Sequence, residues 1–316
     1  MADVGTTTSI RPDQLKKNPN NPRRFFNDER LDLLRTSLQE VGVLVPLIVY
    51  EDPSEDDKFV LMDGERRWLS ALQLGMETIP VNVIEAPGPL QNLLRMFNIH
   101  AVREDWPLVS IALSLGEVSK LANESRESRL AEMTGLTRST VRRSKRLLQL
   151  PQRELELIQT EAHLDRAQQV HREDLYLEIQ AAESLLRNEF PEIGRAYRRA
   201  HVIRQFARKR EEGRLRAVTE FRDLSKLVKT VRANLVPRRK AIRALRRMID
   251  DVDVTPSAVF EEIAAGAYRQ QELSKKVSAI TELLRGLDAR AALDPSVKSA
   301  LRRLLGELMR VLGVPK

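Results

Sequence analysis

The stretch ESRLAEMTGLTRSTVRRSKRLLQLP, residues 127–151, constrains this chain more than any other. Leu130 and Met133 are spaced to share one face of a helix. Gly135 follows, and glycine is the residue best able to take a left-handed turn. Thr137 or Ser139 can then cap a second helix, because a hydroxyl accepts one of the orphan N–H groups at a helix start. Val141 and Leu148, seven apart, are expected to face inward together, which leaves Arg138, Ser139, Thr140, Arg142 and Arg143 on the outer face. Pro151 is expected to stop the helix, with Leu150 before it biased out of the helical region. The pattern predicts a helix-turn-helix whose second helix offers hydroxyls and guanidiniums to a DNA major groove. The bland alternative is a helical hairpin with a solvated basic face. Such a hairpin requires neither the turn glycine, nor the cap, nor the basic face in that order.

The formal net charge of +8 fits an anionic partner, either nucleic acid or an acidic membrane surface. There is no cysteine, which excludes disulfides, zinc fingers and thiol nucleophiles. His100, His163, His171 and His201 show no metal-ligand spacing, although His163 and His171, eight apart on an expected helix, could share a face. No apolar run approaches transmembrane length and no signal peptide opens the chain, so a cytoplasmic protein associated with nucleoid or plasmid, and not with membrane, is expected.

At 316 residues, two or three domains are expected. Strand signals are confined to residues 15–105: Leu47–Tyr50, Phe59–Met62 beyond an acidic loop, and Ile79–Ile84. An amphipathic helix, Asp28–Val41, lies among them, with Leu31, Leu34 and Leu38 at helical spacing. Residues 1–14 are polar and expected to fray, and Ala86–Pro89 is a turn cluster. The predicted fold class is α+β: a small N-terminal α/β domain (residues 1–105), an all-α helix-turn-helix domain (106–235) and a helical C-terminal region (236–316). Residues 161–235, including RAYRRAHVIRQFARKR, read as helical and basic, and residues 238–250 as another basic helix. Either could track phosphates or be a solvated face. Near the C-terminus, Leu273, Val277, Ile280, Leu284 and Leu287 form a short heptad seam. After Asp294 as N-cap and Pro295, Leu301, Leu305, Leu308 and Leu312 repeat it, and Gly313 ends it. These helices could fold on each other or pair with a second copy.

A second constellation is MDGERRWLSA, residues 62–71, where a strand runs into Gly64 and a helix begins at about Glu65. Gly64 permits close backbone approach, and the free N–H groups of the helix start suit an anion. Arg66 and Arg67 add guanidiniums suited to phosphate, though Arg67 could instead pair with an acid on helix 28–41. The extended NPNNPRR segment (18–24) and Arg103, after a predicted helix Leu93–Val102, are further basic elements that could converge with it on a polyphosphate.

Taken in order, NPNNPRRFFNDERLDLLRTSLQEVGVLVPLIV, MDGERRWLSALQLGMETIPVNVI, HAVRED and the helix-turn-helix ending RLLQLP resemble the ParB family of plasmid and chromosome partition proteins over roughly the first half of the chain. The resemblance implies an N-terminal domain that binds CTP and a central helix-turn-helix that binds a centromere-like site. It also implies dimers that clamp and slide on DNA, and a partner ATPase that moves the cargo. By that resemblance Gly64, Glu65, Arg66 and Arg67 match the triphosphate box, Arg103 and Glu104 the end of a second phosphate motif, and Pro22 and Arg23 a first box. Arg138 through Lys145 match the recognition helix, so Thr137, Arg138, Ser139, Thr140, Arg142, Arg143 and Lys145 are the expected DNA contacts.

The chain departs from the family where an acid and an asparagine usually precede the arginine and help hold magnesium; here Ile99 and His100 stand there. Val45 stands where a glutamine is common, and the C-terminal half does not resemble the family's short dimerisation module. The departures separate CTP binding, which is expected, from Mg2+-assisted hydrolysis, which at most would be weak. The expected function is that of a divergent plasmid- or phage-type partition protein: a homodimer on a palindromic double-stranded site, gated by CTP. The alternative is a helix-turn-helix transcriptional regulator with a degenerate nucleotide-binding domain. Enzymes sharing the N-terminal fold fit less well: sulfiredoxin chemistry needs a cysteine, and a nuclease needs clustered carboxylates, whereas Asp56 and Asp57 read as a hairpin loop apart from Asp63 and Glu65.

Overall fold

Five short strands make a mixed sheet in the order β1-β5-β3-β4-β2. In chain order they are β1 (Thr6–Ile10), β2 (Leu15–Lys16), β3 (Leu47–Glu51), β4 (Phe59–Asp63) and β5 (Ile79–Ile84). The computed structural model describes residues 6–21, 28–100, 106–286 and 294–313. β3 pairs antiparallel with β4 and parallel with β5, while β1 pairs antiparallel with β5 and β2 parallel with β4. Residues 52–58, four of them acidic, form the loop between β3 and β4.

The strand period of two divides the sheet's side chains between two cores. Leu47, Val49 and Leu61 face one side, with Ile10, Leu15, Trp68, Ala71, Ile79 and Val81. Helix α1 (Asp28–Val41) packs there on α2 (Glu65–Gln73). Tyr50, Val60 and Met62 face the other side, where Met96 of α3 (Pro89–His100) covers them.

Of the stretch expected to fray, residues 6–14 are ordered in the fold, while residues 1–5 lie outside the described residues. Thr6–Ile10 is an edge strand in register with β5, from Thr6 opposite Val83 to Ile10 opposite Ile79. Its threonines suit a strand, yet Thr7, Thr8 and Ser9 are exposed and only Ile10 is buried, so composition there resembles that of a loop. The Thr7 hydroxyl donates to Asn82 Oδ1 (2.7 Å), and Trp68 Nε1 donates to the Pro12 carbonyl (2.8 Å) in the turn that follows β1.

Beside Met96 on the same face of α3, Leu93 and Phe97 pack against Leu115, Val118, Leu130 and Val141. These belong to α4 (Leu108–Leu121), α5 (Glu127–Thr134) and α6 (Arg138–Leu147). The remaining helices are α7 (Gln152–Glu161), α8 (Glu173–Glu189), α9 (Pro191–Ala196), α10 (Arg199–Glu211), α11 (Arg222–Arg232), α12 (Arg238–Asp250), α13 (Pro256–Ile263), α14 (Ala265–Arg285) and α15 (Pro295–Leu312). One hydrophobic core runs from Leu108 to Ala265, and Ala241, Leu245, Met248, Val259 and Phe260 continue it past residue 236 without a break.

Three expectations for the helical part need correction. Residues 161–235 are not helical throughout: α9 ends at Ala196 and α10 begins at Arg199, with Tyr197 extended between them. Residues 162–172 are irregular, so His163 and His171 share no helical face. His171 is instead buried, its Nδ1 2.9 Å from the Tyr176 hydroxyl, in a polar contact that apolar periodicity does not report. Pro151 does not end α6, which stops at Leu147; it is the N-cap of α7, a position where a missing N–H removes nothing.

The C-terminal seams are real helices with unpartnered faces. Leu273, Val277, Ile280 and Leu284 of α14 are exposed, as are Leu305, Leu308 and Leu312 of α15; Leu287 lies outside the described residues. Asp294 caps α15 by accepting from the Ser296 N–H (2.8 Å), with Pro295 as first residue and Gly313 closing the helix in the left-handed conformation. No described helix is long and apolar enough to cross a membrane.

Candidate functional site

The turn between α5 and α6 is built by three residues. Thr134 ends α5 with its buried hydroxyl donating to the Leu130 carbonyl (2.6 Å). Gly135 adopts φ +71°, the conformation that side chains resist. Thr137, extended, caps α6 by accepting the Thr140 N–H on its hydroxyl (3.1 Å); Ser139 takes no part. The inward face of α6 is Val141, Ser144 and Leu147, all fully buried. Leu148, expected inward with Val141, is the helical C-cap and is half-buried, packed against the main helical core.

The outer face divides the expected DNA contacts into two groups. Arg138, Ser139, Arg142 and Arg143 are exposed, and the side chains of Arg138 and Arg143 make no hydrogen bond or ion pair among the described residues. Arg142 Nε lies 3.2 Å from Glu127 Oε2, an exposed ion pair that contributes about 0–1 kcal/mol and is easily exchanged for another anion. The other three residues hold the local structure: Thr137 as cap, Thr140 with its hydroxyl 2.9 Å from that of Thr137, and Lys145 by donating to the Ser125 carbonyl (2.7 Å).

Two supporting acids escape the sequence reading. Glu124 accepts from the N–H groups of Ser125 and Arg126 (both 2.8 Å) and from the Arg126 guanidinium just ahead of α5. These bonds, the guanidinium's foremost, hold its carboxyl down at about 2. Its signal was an acid two residues before an arginine at a helix start. Glu173 of α8 accepts from the Val109 N–H (2.7 Å) at the start of α4, and burial pushes its carboxyl up while the nearby Arg143 lowers it. That contact spans 64 residues of chain, and no local pattern encodes it. Beside it opens a cleft of about 370 Å³ lined by Arg143, Arg166, Arg172 and Asp174 among others.

The second constellation is a strand–glycine–helix junction as expected. Gly64 sits at φ +102°, ψ +20° as the N-cap of α2. A Cβ there would come within 2.7 Å of Leu47 Cγ and 3.2 Å of Arg67 Nη2. Arg67 pairs with Asp63 (3.2 Å) and donates to the carbonyls of Pro46 (3.1 Å) and Val45, so it ties the end of β4 and the entrance to β3 to the start of α2. Glu65 is buried; it accepts from Asn21 Nδ2 (2.6 Å) and meets Lys17 Nζ (3.2 Å). Asn18, also buried, donates to Asn92 Oδ1 (2.8 Å), and Asn92 donates to the Tyr50 hydroxyl (3.1 Å). Residues 17–21 are thereby held between the start of α2 and the first turn of α3. Arg66 is half-buried on that first turn of α2. Arg23 with Pro22, and Arg103 with Glu104, lie outside the described residues.

The junction fits a polyphosphate on one structural ground: Gly64 has no side chain to cap α2, so the first N–H groups of the helix keep their bonding capacity for a guest. A metal fits less well. Isoleucine at position 99 offers no donor atom, and among the described residues no three His, Asp or Glu side chains are grouped to hold an ion.

Residues 1–95 match the family model of the ParB N-terminal domain. The chromosome-partitioning protein ParB of Caulobacter vibrioides (strain NA1000 / CB15N) is 36% identical over 138 residues, which cover 43% of this chain and 44% of that one. A probable plasmid-partitioning protein ParB of Deinococcus radiodurans is 34% identical over 138 residues, covering 41% and 45%. The chain thus spans about half the length of the curated relatives it matches. Among solved structures, the C-terminally truncated ParB from Caulobacter crescentus complexed with CTP-gamma-S is 29% identical, covering 51% of this chain and 88% of that one with a TM-score of 0.30. The same protein complexed to the centromeric parS site is 24% identical, covering 68% and 96% with a TM-score of 0.39.

Proposed function

We propose, from the premise that this chain belongs to the ParB family through its N-terminal domain, that it is a sequence-specific DNA-binding protein of plasmid or chromosome partition. The observation that carries the proposal is α6. It is capped by Thr137, backed by Val141, Ser144 and Leu147, and turns Arg138, Ser139, Arg142 and Arg143 to solvent. The N-terminal part of such a helix enters the major groove, where each good bidentate contact to a base discriminates by about 1–3 kcal/mol. Thr137, Thr140 and Lys145 act in this reading by holding the helix in place.

The test is a double change, Arg142→Ala with Arg143→Ala, assayed on a duplex selected from cellular DNA and on random duplex at moderate salt. Preference for the selected site is expected to fall at least about tenfold, corresponding to one lost base contact. An unchanged preference overturns the reading.

The Gly64–Arg67 junction is proposed as the CTP site, with the start of α2 and Arg66 receiving the phosphates. Bound CTP would supply concentrated negative charge; the chain's residues supply the uncapped helix start and the guanidinium. Arg67 is a poor probe because its removal also releases Asp63 and two carbonyls. Arg66→Ala is the informative change, and CTP affinity equal to wild type by calorimetry excludes the assignment. Arg23, Arg103 and Glu104 are proposed to complete the site on the strength of the family resemblance. A homodimer on a palindromic site, assembled through the exposed seams of α14 and α15, a partner partition ATPase and association with nucleoid or plasmid belong to the same proposal. Ile99 and His100 favour a second reading, a helix-turn-helix transcriptional regulator with a degenerate nucleotide-binding domain. Spreading of the protein around its site in cells selects partition.

A further inference from the structure

Residues 237–249, PRRKAIRALRRMI, contain five arginines and one lysine and no acid. In the structure they are α12, whose inner face (Ala241, Ala244, Leu245, Met248 and Ile249) is buried in the main helical core. At 100° per residue, Arg239, Lys240, Arg243, Arg246 and Arg247 fall within an arc of about 120° on the other side, and all five are exposed.

In several other helices cations are answered by acids three or four residues away: Lys226 by Asp223, Arg208 by Glu212, Lys275 by Glu272, Arg285 by Glu282 and Arg310 by Glu307. On α12 only Arg238 and Arg247 are paired, with Glu192 and Glu262. Arg239, Lys240, Arg243 and Arg246 form no ion pair among the described residues. Asp250, one turn beyond Arg246, accepts a hydrogen bond from the Tyr197 hydroxyl instead (2.7 Å). The arrangement opposes the helix's own electrostatics. Like charges sit at spacings of three and four, and cations occupy the first turn, where the helix dipole favours acids. A solvated surface helix needs no such concentration, but a polyanion lying along it relieves both repulsions. The stripe from Arg239 to Arg246 runs about 10 Å along the axis, and a duplex presents one negative charge per about 1.7 Å of its own axis.

We propose that this face of α12 is a second duplex-DNA surface, one that tracks phosphates without reading sequence. It stands apart from α6: α6 packs on α8, α8 on α9, and α9 on α12. Arg195 and Arg198, exposed on and after α9, lie on the segment that packs along α12 and extend the positive field. The surface lets the protein hold duplex away from its specific site, either farther along the same molecule or on another one.

The test uses the full chain with R239Q, K240Q, R243Q and R246Q combined, which leaves the inner face untouched, and with R243Q alone. Binding to random-sequence duplex is measured over a range of salt. The slope of log affinity against log salt is expected to become shallower by about 3 to 4 for the quadruple variant and by about 1 for the single one, with affinity reduced at least about tenfold for the former. Unchanged slope and affinity in both variants overturn the proposal. So does loss of binding to vesicles containing phosphatidylglycerol with duplex binding intact, which would make this a lipid-facing surface. The single variant keeps the test decisive if the quadruple one misfolds. The α6 double variant serves as the independent control. It alters site preference and leaves the α12 contribution to the slope in place, so failure of either reading is told apart from failure of the other.

Discussion

Gly64 does three things in one residue. Its left-handed backbone turns β4 into α2, its missing Cβ makes room for Leu47 and Arg67, and its missing side chain leaves the helix start uncapped. Gly64→Ala should therefore destabilise the N-terminal domain by about 1–3 kcal/mol, through the strained φ and the 2.7 Å clash with a side chain in the core. A lowered urea midpoint checks this, followed by fluorescence of Trp68, which lies in that core; an unchanged midpoint would show that Leu47 moves aside without penalty. The glycine and the helix start at Glu65 are legible in the string MDGERR, because a residue free of Cβ constraints at a strand–helix junction has few other uses. The work of Arg67 is not. It meets carbonyls 21 and 22 residues away, and a carbonyl has no residue type for a sequence pattern to register.

At the scale of elements, amphipathic helices with strong periodicity are the parts that sequence specifies best. Asp28–Val41 and Arg238–Asp250 fall where their apolar spacing puts them. The polar edge strand β1 and the break between α9 and α10 escape, since the first is defined by backbone pairing with β5 and the second by the extended backbone of Tyr197. The α5–α6 turn was readable because each of its parts is local. Its entrance, however, depends on Glu124, whose carboxyl is held at about 2 against an ordinary value of 4.5. With the folded value depressed, the protein holds the full contribution of Glu124 above about pH 4.5 and loses it as pH falls through about 2. Comparing wild type with Glu124→Gln by thermal unfolding should give a difference that is constant near neutrality and closes on acidification. A difference independent of pH would mean that the carboxylate's charge does nothing for α5.

For the whole molecule, the proposed dimer rests on the C-terminal helices. Val277, Ile280 and Leu284 line an exposed seam on a 21-residue helix, and water is a poor neighbour for a stripe of that length. Replacing Val277 and Leu284 together with Asp should convert the proposed dimer to monomer in sedimentation equilibrium and weaken binding to a palindromic site much more than to a half-site. A wild-type protein already monomeric at micromolar concentration would refute that assembly. Sequence revealed the seam's spacing and not its occupant, because an intramolecular and an intermolecular partner demand the same heptad.

Helix α3 serves as common masonry. Met96 closes the sheet's second core, whereas Leu93 and Phe97 close the core beneath α4, α5 and α6. A protease or a cloning boundary placed on either side of it would leave one fragment with a bare apolar wall and make that fragment prone to precipitate. Any motion that loosens α3 against the sheet must also disturb the floor under α6, so the two halves share a structural member that neither can give up alone.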